Sequence, residues 1–226
     1  MNAWHRFGRL GLLAAFLVLT GMTFGCDRTA NQDRQADTAI EAGAKPAPGQ
    51  VQLIRHAEKS GDDIDIHLNS RGAARAAALP SLFVIPPTFP TTPAPFTTPD
   101  FLLATKESKH SNRPVETVTP LARVLGNLSI HHKHADKDYQ EVVNDLFREA
   151  KYAGKIVLIC WHHGKLPDLA HAIAAKAKNA DKLKNEIPER WDGSMFDRVW
   201  LFTFDDKGEA TFANRPQQLL FRDSKK

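Results

Sequence analysis

The chain has little cysteine, little charge imbalance and no long apolar run, and each shortage excludes something. Two cysteines, Cys26 and Cys160, leave no framework of cross-links in a chain of 226 residues. Cys26 follows a leader-like segment and Cys160 lies inside the apolar run KIVLICW. An internal disulfide is therefore not expected, and Cys160 reads as a small buried hydrophobe. Lysine and arginine number 30 against 26 acidic residues, with no basic tract, which gives no support to nucleic-acid binding. A modest preference for anionic small molecules is the most that this balance supports. Thirteen glycines and fourteen prolines are too few for disorder throughout, and 42% hydrophobic residues suffice for one sizeable core. The apolar run from Leu10 to Leu19 falls short of the about 20 residues a membrane-crossing helix needs.

What that run does fit is a signal peptide. MNAWHRFGRL supplies Arg6 and Arg9 ahead of it, and small residues stand just before Cys26, so residues 1–25 read as a secretory signal. Thr23-Phe24-Gly25-Cys26 resembles a bacterial lipobox in its Gly before Cys, and departs from it where Leu and Ala are usual. Cys26 is the candidate lipidation site; ordinary cleavage nearby and retention as an uncleaved anchor stay open. The expected location is the bacterial cell envelope, periplasmic or held at the membrane only through a lipid on Cys26. Residues 26–50, polar and Ala-rich with Pro46 and Pro48, read as a flexible linker. That leaves residues 51–226 as the domain.

Within the domain, apolar runs alternate with helical patterns. VQLI (51–54), FLLAT (101–105), LSI (128–130) and KIVLICW (155–161) read as strands; helices are expected over 70–79, 113–126, 138–154 and 166–179. The helix over 113–126 contains Pro120, which disturbs its middle. IPPTFPTTPAPFTTP holds six prolines and reads as a loop, either a gate over a pocket or a plain connector. FDRVWLFTF, DDKG and EATFA form a hairpin. The expected fold is an α/β three-layer sandwich, a mostly parallel central sheet flanked by helices with an antiparallel edge strand or C-terminal hairpin.

Ligands of such sheets sit beyond the carboxyl ends of the strands. VQLI ends in Arg55-His56, FLLAT leads through KESKHSN to Arg113, and KIVLICW ends in His162-His163-Gly164. If the three strands are neighbours, two guanidinium groups and the imidazoles converge, as a phosphoryl group requires. Arginine meets its oxygens with forked donors, and a neutral imidazole beside it is a nucleophile.

LIRHAEK, LNSRGAARA, SNRPVET and VLICWHHG resemble, in order and spacing, the signatures of the histidine phosphatase superfamily, over about residues 51 to 223. The resemblance implies a metal-independent, cofactor-free phosphatase acting on phosphomonoesters or phosphoramidates, small molecules or phosphoproteins, through a phosphohistidine. It implies that His56 is the nucleophile, that Arg55 and Arg113 clamp the phosphoryl oxygens, and that His163, directly before Gly164, donates to the phosphoryl group. His162 is expected as a pocket wall. The carboxyl acid that many relatives use is unassigned; Asp136, Asp138 and Glu141 are available without a motif match, and Glu58 lies beside the site. A catalytically silent phospho-ligand-binding domain of the same fold is the alternative.

Blander readings accompany these. Arg55-His56 would suit a solvated strand end, Arg113 a first-turn surface position beside Glu116, and Lys59 an exposed lysine with or without a phosphate contact. His131, His132 and His134 invite a metal reading but lack helical ligand spacing, so no metal is expected. Trp191 and Trp200 read as packing residues.

Overall fold

A computed structural model describes residues 47–62, 64–85 and 94–224. The expected signal segment 1–25, Cys26, the expected linker up to residue 46 and residues 86–93 lie outside the described residues. Six strands form one sheet: β1 (Gln50–Arg55), β2 (Phe101–Ala104), β3 (Ile130–His131), β4 (Ile156–Trp161), β5 (Arg198–Phe204) and β6 (Ala210–Pro216). Their order is β3-β2-β4-β1-β5-β6. The first four are parallel, and β5 and β6 add an antiparallel hairpin at one edge, which is the expected architecture. The sheet starts slightly ahead of Val51: Gly49 and Gln50 both donate to the Lys155 carbonyl, and Gly154 donates to that of Ala47.

Among the described residues five α-helices accompany the sheet: α1 (Ser70–Ala78), α2 (Arg113–Val124), α3 (Tyr139–Arg148), α4 (Leu166–Ala174) and α5 (Ala180–Lys184). Because side chains alternate along a strand, β1 feeds two cores. Val51 and Leu53 join the cluster under α3 and α4, while Ile54 joins Leu79, Val118 and Leu121 beneath α1 and α2. Burying apolar area on both faces explains why β4 reads as a continuous apolar run; in β1 the buried Gln52 is the polar exception, donating to Gln50 Oε1 and the Thr97 carbonyl.

Two expected helices are shorter than their patterns. The one ending at Gly154 stops at Arg148, because Glu149 is extended and a 3-10 turn over Ala150–Tyr152 replaces the last turns. The one ending at Asn179 stops at Ala174, and Lys178 then donates to the Gly208 carbonyl of the hairpin turn, a tertiary bond that apolar periodicity does not register. The third strand is only Ile130–His131. α2 does run through Pro120, with the hydroxyls of Thr117 and Thr119 donating to the carbonyls of Arg113 and Val115. Trp191 and Trp200 pack in the core with ring centroids 4.7 Å apart and planes tilted by 47°.

α1 lies directly against the loop that follows β1. Asn69 caps it by accepting from Gly72 N at 2.8 Å, and a Cβ on Gly72 would stand 2.2 Å from the Glu58 carbonyl oxygen. That contact is backbone on backbone, so a rotamer change cannot relieve it. Gly72→Ala is expected to cost about 1 to 3 kcal/mol in chemical denaturation, despite the better helix propensity of alanine.

Candidate phosphoryl-binding site

Strand register assembles the site. Arg55 pairs with Trp161, the last residue of β4, and His56 N donates to the Trp161 carbonyl at 3.1 Å. The residues that follow the two strands, His56 and His162, therefore emerge side by side. Their ring centroids are 5.1 Å apart with the planes at 68°. α2 supplies Arg113 from its first position, and Thr117 one turn on accepts from Ala57 N at 2.9 Å, fixing the loop after His56 to the same helix.

His56 is 3% exposed, and its Nδ1 lies 2.7 Å from the Ala57 carbonyl. A carbonyl oxygen can only accept, so Nδ1 carries the proton and Nε2 keeps its lone pair. Burial, followed by the fields of His162, Arg55 and Arg113, pushes the imidazole down to about 2 against the opposing bond to Ala57. His162 is held at about 4 by burial, then by Arg113, His163 and Arg55. Both rings are neutral at pH 7.

Arg55 is 2% exposed and its Nη1 donates to the carbonyls of Gly193 at 2.6 Å and Met195 at 3.1 Å. Its guanidinium carbon stands 3.7 Å from the centre of the Phe196 ring, a cation-π contact, and the same ring lies 6.2 Å from that of His56. Burial is the main reason its pKa falls to about 10, with Arg113 acting in the same direction. Among the described residues Arg55 Nε meets no hydrogen-bond partner. Arg113, also buried, donates from Nη1 to the Asp65 carbonyl at 2.7 Å and from Nη2 to that of His110 at 3.3 Å. Two guanidinium groups that both act on His56, each donating to backbone carbonyls, present a positive field suited to an oxyanion.

The structure thus brings Arg55, His56, Arg113 and His162 together. His163 lies one residue further along, in the turn that leads to α4, where its Nε2 would be 3.6 Å from a Cβ on Gly193. Its pKa is lowered by burial, then by Arg55 and Lys59, while Asp192 opposes them. His163, Lys59 and Asp192 therefore stand around the rim. Sequence reasoning favoured His163 because of Gly164; the register of Trp161 on Arg55 instead sets His162 beside His56. Phe196 carried no sequence signal, since the turn before β5 has no motif.

Other candidates fall elsewhere. Asp136 has its carboxyl raised to about 6 by burial, with Lys165 and Asp168 as its charged neighbours, and its carbonyl accepts from Trp161 Nε1 at 3.2 Å. Asp138 accepts from Ala135 N, and Glu141 is exposed on α3. Glu58 turns away from the imidazoles toward Arg71 and Arg75. His132 faces Glu107, His134 bonds Asp145 at 3.0 Å, and His131 packs on Phe101. Among the described residues no three metal-ligating side chains form a group. Cys160 is fully buried and burial pushes its thiol far up, so it is inert. A cavity of about 110 Å³ between Trp161, Tyr152 and Asp145 does not include the clustered arginines or His56.

The two depressed imidazoles set an acid limit on stability. Unfolded, each titrates near 6.5; folded, at about 2 and about 4. Below 6.5 the unfolded chain takes up protons that the folded chain refuses, so stability falls with pH across that window. His162 completes its share near pH 4, and His56 continues below it. The melting temperature is expected to drop between pH 7 and pH 4.5, and to drop less in His162→Asn.

No protein-family model and no curated protein matches the chain. Among solved structures it is similar to one from Agrobacterium tumefaciens described as a SixA phosphohistidine phosphatase, at 19% identity and TM-score 0.42, over 74% of this chain and 98% of that one. It is similar to a phosphoglycerate mutase from Plasmodium falciparum at 10% identity and TM-score 0.45, over 76% and 94%. A mycobacterial glucosyl-3-phosphoglycerate phosphatase solved with inorganic phosphate matches at 12% identity and TM-score 0.43, over 74% and 95%.

Proposed function

We propose that the chain is a metal-independent phosphatase of the histidine phosphatase type, hydrolysing phosphomonoesters or phosphoramidates through a phosphohistidine on His56. The observation that carries this reading is a buried neutral imidazole, with Nδ1–H committed to the Ala57 carbonyl, set edge-on to His162 in the field of Arg55 and Arg113. The Nε2 lone pair attacks phosphorus and the bond to the leaving group breaks; water then attacks phosphorus, breaks the P–N bond and restores the neutral ring. The Nδ1 proton stays on the ring throughout, and its bond to Ala57 steadies the positive charge that phosphorylation creates. Arg55, Arg113 and one of the two following histidines stabilise the transferring oxygens.

A second reading, phosphoryl-ligand binding without turnover, is favoured by one observation: the raised carboxyl of Asp136 faces Lys165 and Asp168 rather than the paired imidazoles. Substrates with good leaving groups separate the two readings, because they need no acid. The purified protein is expected to hydrolyse an aryl phosphate in the presence of EDTA and to trap as an acid-labile, base-stable phosphoprotein. Phosphate binding with no turnover across a broad substrate panel would favour the second. An envelope location with a lipid on Cys26 belongs to the same proposal, and fatty-acid labelling lost in Cys26→Ser tests it.

A further inference from the structure

Behind the nucleophile loop lies a charged cluster that the chemistry above does not use. Arg75 of α1, 3% exposed, donates from Nε to Glu58 Oε2 at 3.0 Å and from Nη2 to Oε1 at 2.8 Å. The far side of the same guanidinium reaches Asp223, Nη1 to Oδ2 and Nη2 to Oδ1, each at 2.8 Å. Arg71, on the more exposed flank, donates to Glu58 Oε1 at 3.0 Å and to the Phe221 carbonyl at 3.0 Å. Asp223 Oδ2 also accepts from the backbone N–H groups of Leu219 and Leu220, and Gln217 Oε1 accepts from Arg75 Nη1. Two carboxylates and two guanidinium groups thus balance, and they staple the C-terminal segment to α1 and to Glu58.

A buried ionic cluster of this kind gives little net stability compared with apolar packing, because desolvation offsets the attraction; what it can supply is position. Its position here is specific. Glu58 N and the Ala57 carbonyl are the two halves of one planar peptide unit, so fixing Glu58 fixes the direction of that carbonyl. The Ala57 carbonyl is the acceptor of His56 Nδ1–H. Backbone ties hold the same loop: Ala57 N donates to Thr117 Oγ1, Asn69 N to the Glu58 carbonyl and Asn69 Nδ2 to that of Lys59. The carboxylate of Glu58 is the side-chain handle on the residue that supplies the N–H half of the Ala57–Glu58 peptide plane.

We propose that Arg75 and Asp223 are positioning residues: acting through Glu58, they orient the Ala57 carbonyl and thereby hold His56 in its Nδ1–H tautomer and ring angle. The segment from Gln217 to Asp223 is then a strut of the site, about 160 residues from the histidine it serves along a chain whose distant parts meet only in the fold. The kinetic consequence rests on the phosphatase reading above, but the consequence for the tautomer does not.

The test uses the full chain, with Asp223→Asn, Glu58→Gln, their double variant and the milder Arg71→Gln. Long-range ¹H–¹⁵N spectra of the histidine rings report the tautomer of His56, and aryl phosphate kinetics report its use. The parent is expected to show the Nδ1–H form alone, and Asp223→Asn a mixture. In Asp223→Asn kcat is expected to fall about 10- to 100-fold, with KM within about twofold, as small misplacements of a reacting group do. The double variant should be no worse than the worse single, since both act through Arg75. Should Asp223→Asn fail to fold, Arg71→Gln loosens the same cluster from its exposed side and should show the same mixing at lower amplitude. An unchanged His56 spectrum in the folded variants, or losses of kcat that multiply in the double variant, overturns the proposal. If the parent turns over no substrate, the phosphatase reading falls and the His56 spectrum alone decides this one.

Discussion

His56→Ala is expected to abolish turnover, lowering kcat on an aryl phosphate by about four to six orders of magnitude, with no phosphoprotein trapped by acid-free mass spectrometry. The size follows from what is removed. Arg55 and Arg113 survive, so a phosphate anion should still bind, but water would then have to attack an ester with no covalent step to divide the barrier. Inorganic phosphate affinity is therefore expected to change much less than kcat. A variant that loses both in equal measure would point to collapse of the pocket, and circular dichroism with a thermal melt would show it. Retained activity in His56→Ala would mean that a group outside the cluster performs the chemistry.

The second large effect separates two adjacent imidazoles. His162→Ala is expected to lower kcat about 10²- to 10³-fold, the usual cost of losing one donor to a transferring oxyanion, and His163→Ala about tenfold or less. The argument is positional: the ring of His162 meets that of His56, whereas His163 shares its surroundings with Lys59, Asp192 and Gly193 at the rim. The reverse order of effects would show that the turn after β4 rearranges when a phosphoryl group enters, with His163 swinging inward. Measuring both variants with one aryl substrate at one pH is sufficient, because burial lowers both imidazoles from their ordinary value, His162 to about 4.

Which parts of this were legible beforehand follows from the range of the forces involved. β4 announces itself because it is buried on both faces and so lacks polar alternation, and β1 does so through Val51, Leu53 and Ile54 ahead of Arg55. Gly208 marks the hairpin turn through its φ of +80°, which a glycine adopts without strain. The ends of α3 and α4 were not legible, since they are set by an extended Glu149 and by a bond from Lys178 to a turn thirty residues on, and local periodicity holds no record of either. In the site, Arg55, His56 and Arg113 could be named because strand ends and helix starts are local features. The choice between His162 and His163 could not, because it depends on which residue of β4 stands opposite Arg55. Phe196 and Asp223 were invisible for the same reason: their partners are more than a hundred residues away.

β1 occupies the fourth place in the sheet although it is the first strand made, and its two neighbours are β4 and β5. As the chain leaves the ribosome, residues 50–55 must wait for on the order of a hundred more residues before either flank is covered, a long closure that slows folding. During that interval an apolar strand with both edges open is the region most open to association with other chains. Factors that shield nascent segments should therefore matter most between the appearance of His56 and that of Trp161, and a chain stopped short of β4 should be found aggregated or degraded rather than half active.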